Sequence, residues 1–215
     1  MIKDVSFIPD KVIEKKALVM LAGFEAQYGK VTHPPVPIDR LVECYLDLWI
    51  DWDDIADTDE EKILGCLDPN ARKIYMNTRH RDHFEDYIGT ESYTKAHEVG
   101  HWDMHVARPE EMVQLSLLPS AESHQLLCRA SRRDPREIQA ERYAAYLLMP
   151  HHLVMSEIEG LDIWQWPTLY DLQRLFGVTI SAFTNRLKGL GLIYISPNSL
   201  VFHSEEEYQG IKSMF

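Results

Sequence analysis

Apolar positions along this chain change period several times, and the changes outline its elements. Between Asp10 and Tyr28 they fall at Ile13, Ala17, Met20, Leu21 and Phe24, one stripe of a helix. Asp4, Asp10 and Glu14 precede or flank the small apolar run at 17–24, so this reads as an amphipathic helix rather than a signal peptide. His33-Pro-Pro-Val-Pro37 interrupts the pattern as a loop, and a short helix is expected over Ile38–Tyr45. Period two follows. Leu46-Asp-Leu-Trp-Ile-Asp-Trp52 alternates like a strand, and Lys62–Leu67 with Arg72–Met76 flank Asp68-Pro-Asn-Ala71, a turn signal, as a hairpin. Arg72–Met76 is the candidate edge strand for pairing with an extended ligand, chosen on position alone.

Helical spacing returns after Gly89. Thr90–His105 contains no proline, and Tyr93, Ala96, Gly100 and Met104 share a face, with Thr90 the expected cap and Glu91 in the first turn. Gly100 weakens such a helix, which makes most sense where another backbone or a ligand comes close. Residues 137–150 form a second helix stopped at Pro150, with Glu137, Ala140, Glu141, Ala144 and Leu148 on one stripe. Between Thr168 and Ile193, Leu169, Leu172 and Leu175 precede a Gly177-Val-Thr turn, and Ile180, Phe183 and Leu187 begin another helix. That is helix-turn-helix spacing.

The chemistry lies in His97-Glu-Val-Gly-His101. The HExxH spacing puts two imidazoles one turn apart on a single helix face, where both can ligate one zinc ion. Glu98 then sits beside the metal as a general base for bound water, the arrangement of metal-assisted peptide hydrolysis. Glu137 is the expected third ligand, reaching in from the second helix. Glu141, one turn on, is expected to hold the outer N–H of a ligand histidine, and the two carboxylates can exchange these roles. His105 shares the face of His97 and His101, but a straight helix separates it from His97 by roughly 12 Å. It is therefore a residue supporting the site or lining the pocket. Tyr93, His105, His124 and Tyr143 are candidate donors to a tetrahedral oxyanion.

Tyr93-Thr-Lys-Ala-His-Glu-Val-Gly-His-Trp-Asp-Met-His105, then Glu137-Ile-Gln-Ala-Glu-Arg-Tyr-Ala-Ala-Tyr-Leu-Leu-Met-Pro150, resemble the ImmA/IrrE-type metallopeptidases. The likeness continues more weakly through Leu172–Ser181 and Arg186–Ile193, and covers about residues 70 to 195. It implies His97, His101 and Glu137 as zinc ligands and Glu98 as general base. It also implies an endopeptidase whose protein substrate is a helix-turn-helix repressor, controlling a mobile element, a stress response or a toxin–antitoxin-like system. The chain departs from the family at Glu141, where Asn or Asp is usual. The stretch from His80 to Gly89 is also longer than usual.

The expected class is α+β: a small, mostly antiparallel sheet packed with the active-site helices, then the helix-turn-helix-like segment. The expected division is a zincin-like domain at 1–160 and a small module at 161–215. With 215 residues, 45% of them hydrophobic, the chain can bury one substantial core. No apolar run is long enough for a membrane span. Cys44, Cys66 and Cys128 are three in number and form no CxxC pair, which suggests buried thiols in a cytoplasmic protein.

Charge modifies this reading. The formal net charge is −12, and residues 39–68 hold eleven Asp or Glu against Arg40 and Lys62. Such acidity favours a basic partner and opposes nonspecific nucleic-acid binding, though a solvated acidic loop explains it as well. Within 168–193, Arg174, Arg186 and Lys188 outnumber Asp171, and Ser181, Thr184 and Asn185 stand where a DNA-reading helix presents polar side chains. Two alternatives to the peptidase are thus a DNA-binding regulator acting through 168–193 and a non-catalytic, zinc-containing adaptor.

Overall fold

In the computed structural model, residues 8–58, 62–106, 127–128 and 134–212 are described. The first helix, α1 (Asp10–Tyr28), buries Ile13, Ala17, Leu21 and Phe24, the stripe that the spacing predicts. It ends at Gly29, which has φ 96° and donates its N–H to the Glu25 carbonyl. A short α2 (Ile38–Arg40) runs into a π-helical turn at Leu41–Tyr45.

The strand after this turn, β1 (Trp49–Asp53), begins later than the alternation suggests. Asp47 has φ 52°, and the Leu46 and Leu48 amides bond back to Leu41 and Val42, so residues 46–48 still belong to the turn. β2 (Gly65–Asp68) and β3 (Lys73–Asn77) form the expected antiparallel hairpin. The Asp68 carboxylate accepts from the Asn70 and Ala71 amides and holds its bend.

The sheet order is β1-β3-β2-β4, where β4 is Leu127–Cys128. β1 pairs with β3 in parallel and the other two pairings are antiparallel. β3 is therefore internal, which corrects the expectation that Arg72–Met76 is an edge strand. The connection from β1 crosses over to β2, and the hairpin return then fills the gap between them. Cys66 on β2 is fully buried, faces Cys128 in register and is disulfide-bonded, so the expectation of three thiols does not hold.

A 3-10 turn at Thr78–His80 and α3 (Arg81–Asp86) lead to α4 (Thr90–His105). The cap of α4 is Gly89, in the left-handed region, rather than Thr90. Lys95, 5% exposed, ties α4 to α2 through an ion pair to Asp39 at 2.7 Å and pairs within α4 with Glu91 at 2.5 Å. α5 (Pro135–Leu148) begins two residues before the expected start, because Asp134 caps it and Pro135 opens its first turn.

α6 (His151–Ile158) follows, then α7 (Trp166–Phe176) and α8 (Ile180–Gly189), joined by a turn through Gly177 and capped by the Thr179 hydroxyl. A β5–β6 pair (Tyr194–Ile195, Val201–Phe202) and α9 (Glu205–Lys212) complete the chain. Leu169, Leu172, Phe176, Phe183 and Leu187 join the same buried cluster as Ala96, Val99 and Leu147, so the core is continuous across residue 160. No described helix is long and apolar enough to cross a membrane.

Candidate metal centre

Two close approaches build the site. An ideal Cβ on Gly100 of α4 would lie 3.0 Å from the Ala140 Cα and 3.1 Å from its carbonyl oxygen. The two helices thus meet backbone to backbone, which explains a helix-weakening residue in the middle of the motif. On the other side of α4, a Cβ on Gly65 of β2 would lie 2.5 Å from the Thr94 methyl and 3.4 Å from Glu98 Oε1. The sheet therefore presses directly on the helix turn that carries Glu98.

At the α4–α5 crossing, His97, His101 and Glu137 converge, all three buried, with ligand atoms within 4.8 Å of one another. His97 Nε2 and His101 Nε2 are 3.0 Å apart. Glu137 Oε2 is 3.1 Å from His97 Nε2, and its Oε1 is 3.3 Å from His101 Nε2. Ligands about 2.0–2.2 Å from a tetrahedral zinc lie roughly 3.3–3.6 Å from each other. The observed separations fall within a few tenths of an ångström of that, and two imidazoles with one carboxylate leave a fourth position open. The donor set fits the metal.

Electrostatics follow from the same contacts. Burial would raise the Glu137 carboxyl, but hydrogen bonds from His101 and His97 outweigh it and hold the group far below the usual carboxylate range. Burial draws the His101 imidazole down, yet the Glu137 bond and the Glu98 and Glu137 charges carry it above its ordinary value.

Behind the ligands, His101 Nδ1 lies 3.1 Å from His105 Nδ1, and His105 Nε2 lies 3.0 Å from Gln139 Oε1. With a metal in place of the proton shared with Glu137, the tautomer that satisfies both contacts protonates His101 Nδ1 and turns its Nε2 lone pair to the ligand cluster. Burial and the His101 charge push His105 below its ordinary value, consistent with a neutral ring in this chain. Gln139, 4% exposed, is the support that the sequence reading missed. Its only signal was a second inward position two residues after Glu137.

The other candidates are placed elsewhere. Glu141 is exposed and faces a second cavity between α1, α5 and α8. Its backbone carbonyl, rather than its carboxylate, is engaged, accepting from the Tyr93 hydroxyl at 2.9 Å. Tyr143 is fully buried in the core, and burial, with the Asp103 carboxylate second, pushes its phenol strongly up. His124 lies outside the described residues. Tyr93 stands at the cleft.

That cleft holds about 580 Å³ and opens onto His97 and Glu98. Its walls come from β2, from the α3–α4 connection, and from α7 with the start of α8. The sequence reading did not place this last segment at the site. Ser181 lines the cleft, Thr184 is buried with its hydroxyl on the Ile180 and Ser181 carbonyls, and the Arg186 guanidinium is buried against Glu14 and the Met149 carbonyl.

Residues 89–188 match the peptidase family model described as the IrrE N-terminal-like domain. No curated protein matches the chain. Among solved structures, a Mycobacterium tuberculosis transcriptional regulator is similar at a TM-score of 0.44 and 16% sequence identity. The similarity covers 83% of this chain and 46% of that one, so this chain spans less than half the length of that regulator.

Proposed function

With residues 89–188 matching the IrrE N-terminal-like peptidase domain, we propose that this protein is a zinc-dependent endopeptidase of the ImmA/IrrE type acting on a protein substrate. The observation that carries the proposal is the convergence of His97 Nε2, His101 Nε2 and the Glu137 carboxylate, with Glu98 on the adjoining cleft wall. A zinc ion held there would polarise a scissile carbonyl and bring a water toward ionisation near neutral pH. Glu98, 2% exposed, accepts that water's proton and delivers it to the leaving amine. The His101–His105–Gln139 chain keeps the imidazole edge aimed, and Tyr93 lines the cleft, where it serves an oxyanion only by releasing its bond to the Glu141 carbonyl. The substrate fitting the family and the acidic balance of the chain is a basic, helix-turn-helix repressor, and it is that substrate, not the cysteines, that would place the reaction in the cytoplasm.

The test is metal content beside turnover. Purified wild type should carry one zinc per chain, lost in Glu137→Ala and retained in Glu141→Ala, since Glu141 is exposed away from the cluster. Glu98→Gln should keep the zinc and lose on the order of 10²–10⁴ in peptide cleavage. Absence of zinc from wild type even after reconstitution sinks the proposal. Undiminished cleavage by Glu98→Gln would leave a zinc site but remove the mechanism.

A further inference from the structure

Three large side chains are exposed around one cleft: Tyr87 at 58%, Ile88 at 51% and Tyr170 at 42%. Ile180, at the first position of α8, lines the same space. Grouped apolar surface of this kind, rimming a concavity of about 580 Å³, marks a ligand site rather than incidental exposure. Charged residues also border it, Asp86 and Arg174 among them. Arg174 pairs with Asp171 at 2.9 Å, and the His83 ring packs on Tyr87 with centroids 4.6 Å apart.

Among the buried polar residues on this space, Thr90, Thr94, His97, Glu98 and Gln173, the last is the amide. Gln173 of α7 is 6% exposed and lines the cleft. A carboxamide offers a carbonyl and an N–H₂ side by side, the same pair of functions as a peptide group. On the cleft wall it can accept from a substrate N–H and donate to a substrate carbonyl at once. His97 and Glu98 lie on the wall of the same cavity, so a chain held there is held at the reacting end.

We propose that α7 and the start of α8 form the substrate-selecting wall of the peptidase. The Gln173 carboxamide holds a peptide group of an extended substrate, and Tyr87, Ile88, Tyr170 and Ile180 enclose a bulky apolar side chain next to the scissile bond. The inference rests on the peptidase reading and assigns its specificity to the helix-turn-helix-like segment. Packing of the Gly177-Val-Thr turn against Gly89, at the head of the active-site helix, keeps this wall in register with the catalytic residues.

A dodecapeptide library of randomised sequence, digested by the zinc-loaded full chain and read by mass spectrometry, tests it. Wild type should cleave beside Leu, Phe, Tyr or Met at one flanking position. Tyr170→Asp, at an exposed position that tolerates the change, should move that preference toward Lys and Arg. Gln173→Met keeps the volume and removes the amide, and should raise KM by roughly three- to tenfold with kcat little altered. Capture of the same library on immobilised Glu98→Gln protein supplies a readout without turnover, and should retain peptides with the same apolar preference. Cleavage by wild type with no side-chain preference, or with a profile and KM unchanged in both variants, overturns the assignment and leaves the peptidase intact. No cleavage by wild type at all removes the peptidase reading, and this proposal with it.

Discussion

Gly89 couples the active-site helix to the C-terminal helix pair, and replacing it with alanine measures that coupling. Its φ is 83°, and an added Cβ would lie 2.3 Å from both the Cα and the carbonyl carbon of Val178 and 2.5 Å from its nitrogen. These are backbone atoms of a fully buried residue in the α7–α8 turn, so no side-chain rotation relieves the overlap. The left-handed conformation costs an alanine about 1–2 kcal/mol. Overpacking against a rigid neighbour adds about 1–3 kcal/mol. Gly89→Ala should therefore lose roughly 2–5 kcal/mol, a large share of the 5–15 kcal/mol typical of a domain. For a chain of this size that is a fall of roughly 4–20 °C in Tm.

Gly160→Ala is the control, because Gly160 has φ 75° but nothing within 4 Å of its would-be Cβ. It should lose the backbone strain alone, about 1–2 kcal/mol. Thermal melts followed by far-UV circular dichroism, with zinc content measured on the folded fraction, compare the two. If Gly89→Ala melts at the same temperature as Gly160→Ala, the Gly89–Val178 contact does not hold the two parts together, and the reasoning fails.

Two further outcomes follow from buried groups. The Arg186 side chain is 4% exposed and bonds Glu14 at 2.5 Å and the Met149 carbonyl at 3.0 Å. Breaking a buried pair costs about 3–5 kcal/mol, and Glu14, with 28% of its side chain exposed, recovers part of that from water, so Arg186→Met should lose about 2–4 kcal/mol in urea unfolding. A loss under about 0.5 kcal/mol, the range of ordinary surface substitutions, would show that Arg186 has no structural role and return it to the surface basic residues. In denatured, unreduced protein the free Cys44 should alkylate at once and Cys66 only after reduction. Labelling of Cys66 without reductant would refute its disulfide.

What the sequence made legible was local. The spacing of Ile13, Ala17, Leu21 and Phe24 locates α1 to its ends, and the interval between His97 and His101 puts both rings on one face of α4. The choice between Glu137 and Glu141 was only partly legible, favouring Glu137 but leaving the roles exchangeable, because both occupy one stripe of α5 and differ only by a turn. The crossing of Gly100 over Ala140 decides it, directing the preceding turn into the site and the following one toward the second cavity. Sheet order was hidden for the same reason. Nothing in Arg72–Met76 itself reveals that β1 pairs with it in parallel from across the β2–β3 hairpin. Local propensity sets helices and turns, whereas crossings and strand order depend on contacts between distant parts of the chain.

The helix-turn-helix-like segment is where local spacing and tertiary placement diverge most. A helix that reads a major groove must expose the polar side chains of its first turns and present basic groups to phosphate. α8 keeps the hydrogen-bonded Thr184 inside, sends Arg186 inward to Glu14, and turns Ser181 toward the peptidase cleft. Arg174 is paired with Asp171, which leaves Lys188 as the exposed basic residue of the two helices with no ion pair among the described residues. Against a chain charge of −12, that single positive group offers little to offset phosphate repulsion. The same features suit a wall that must be rigid behind and adaptable in front. Buried Leu169, Leu172, Phe183 and Leu187 fix the pair to the core, while Tyr170, Gln173 and Ile180 face the cavity beside Glu98. Spacing shows that two helices meet at a turn, and only the face they present to Glu98 says what they meet there.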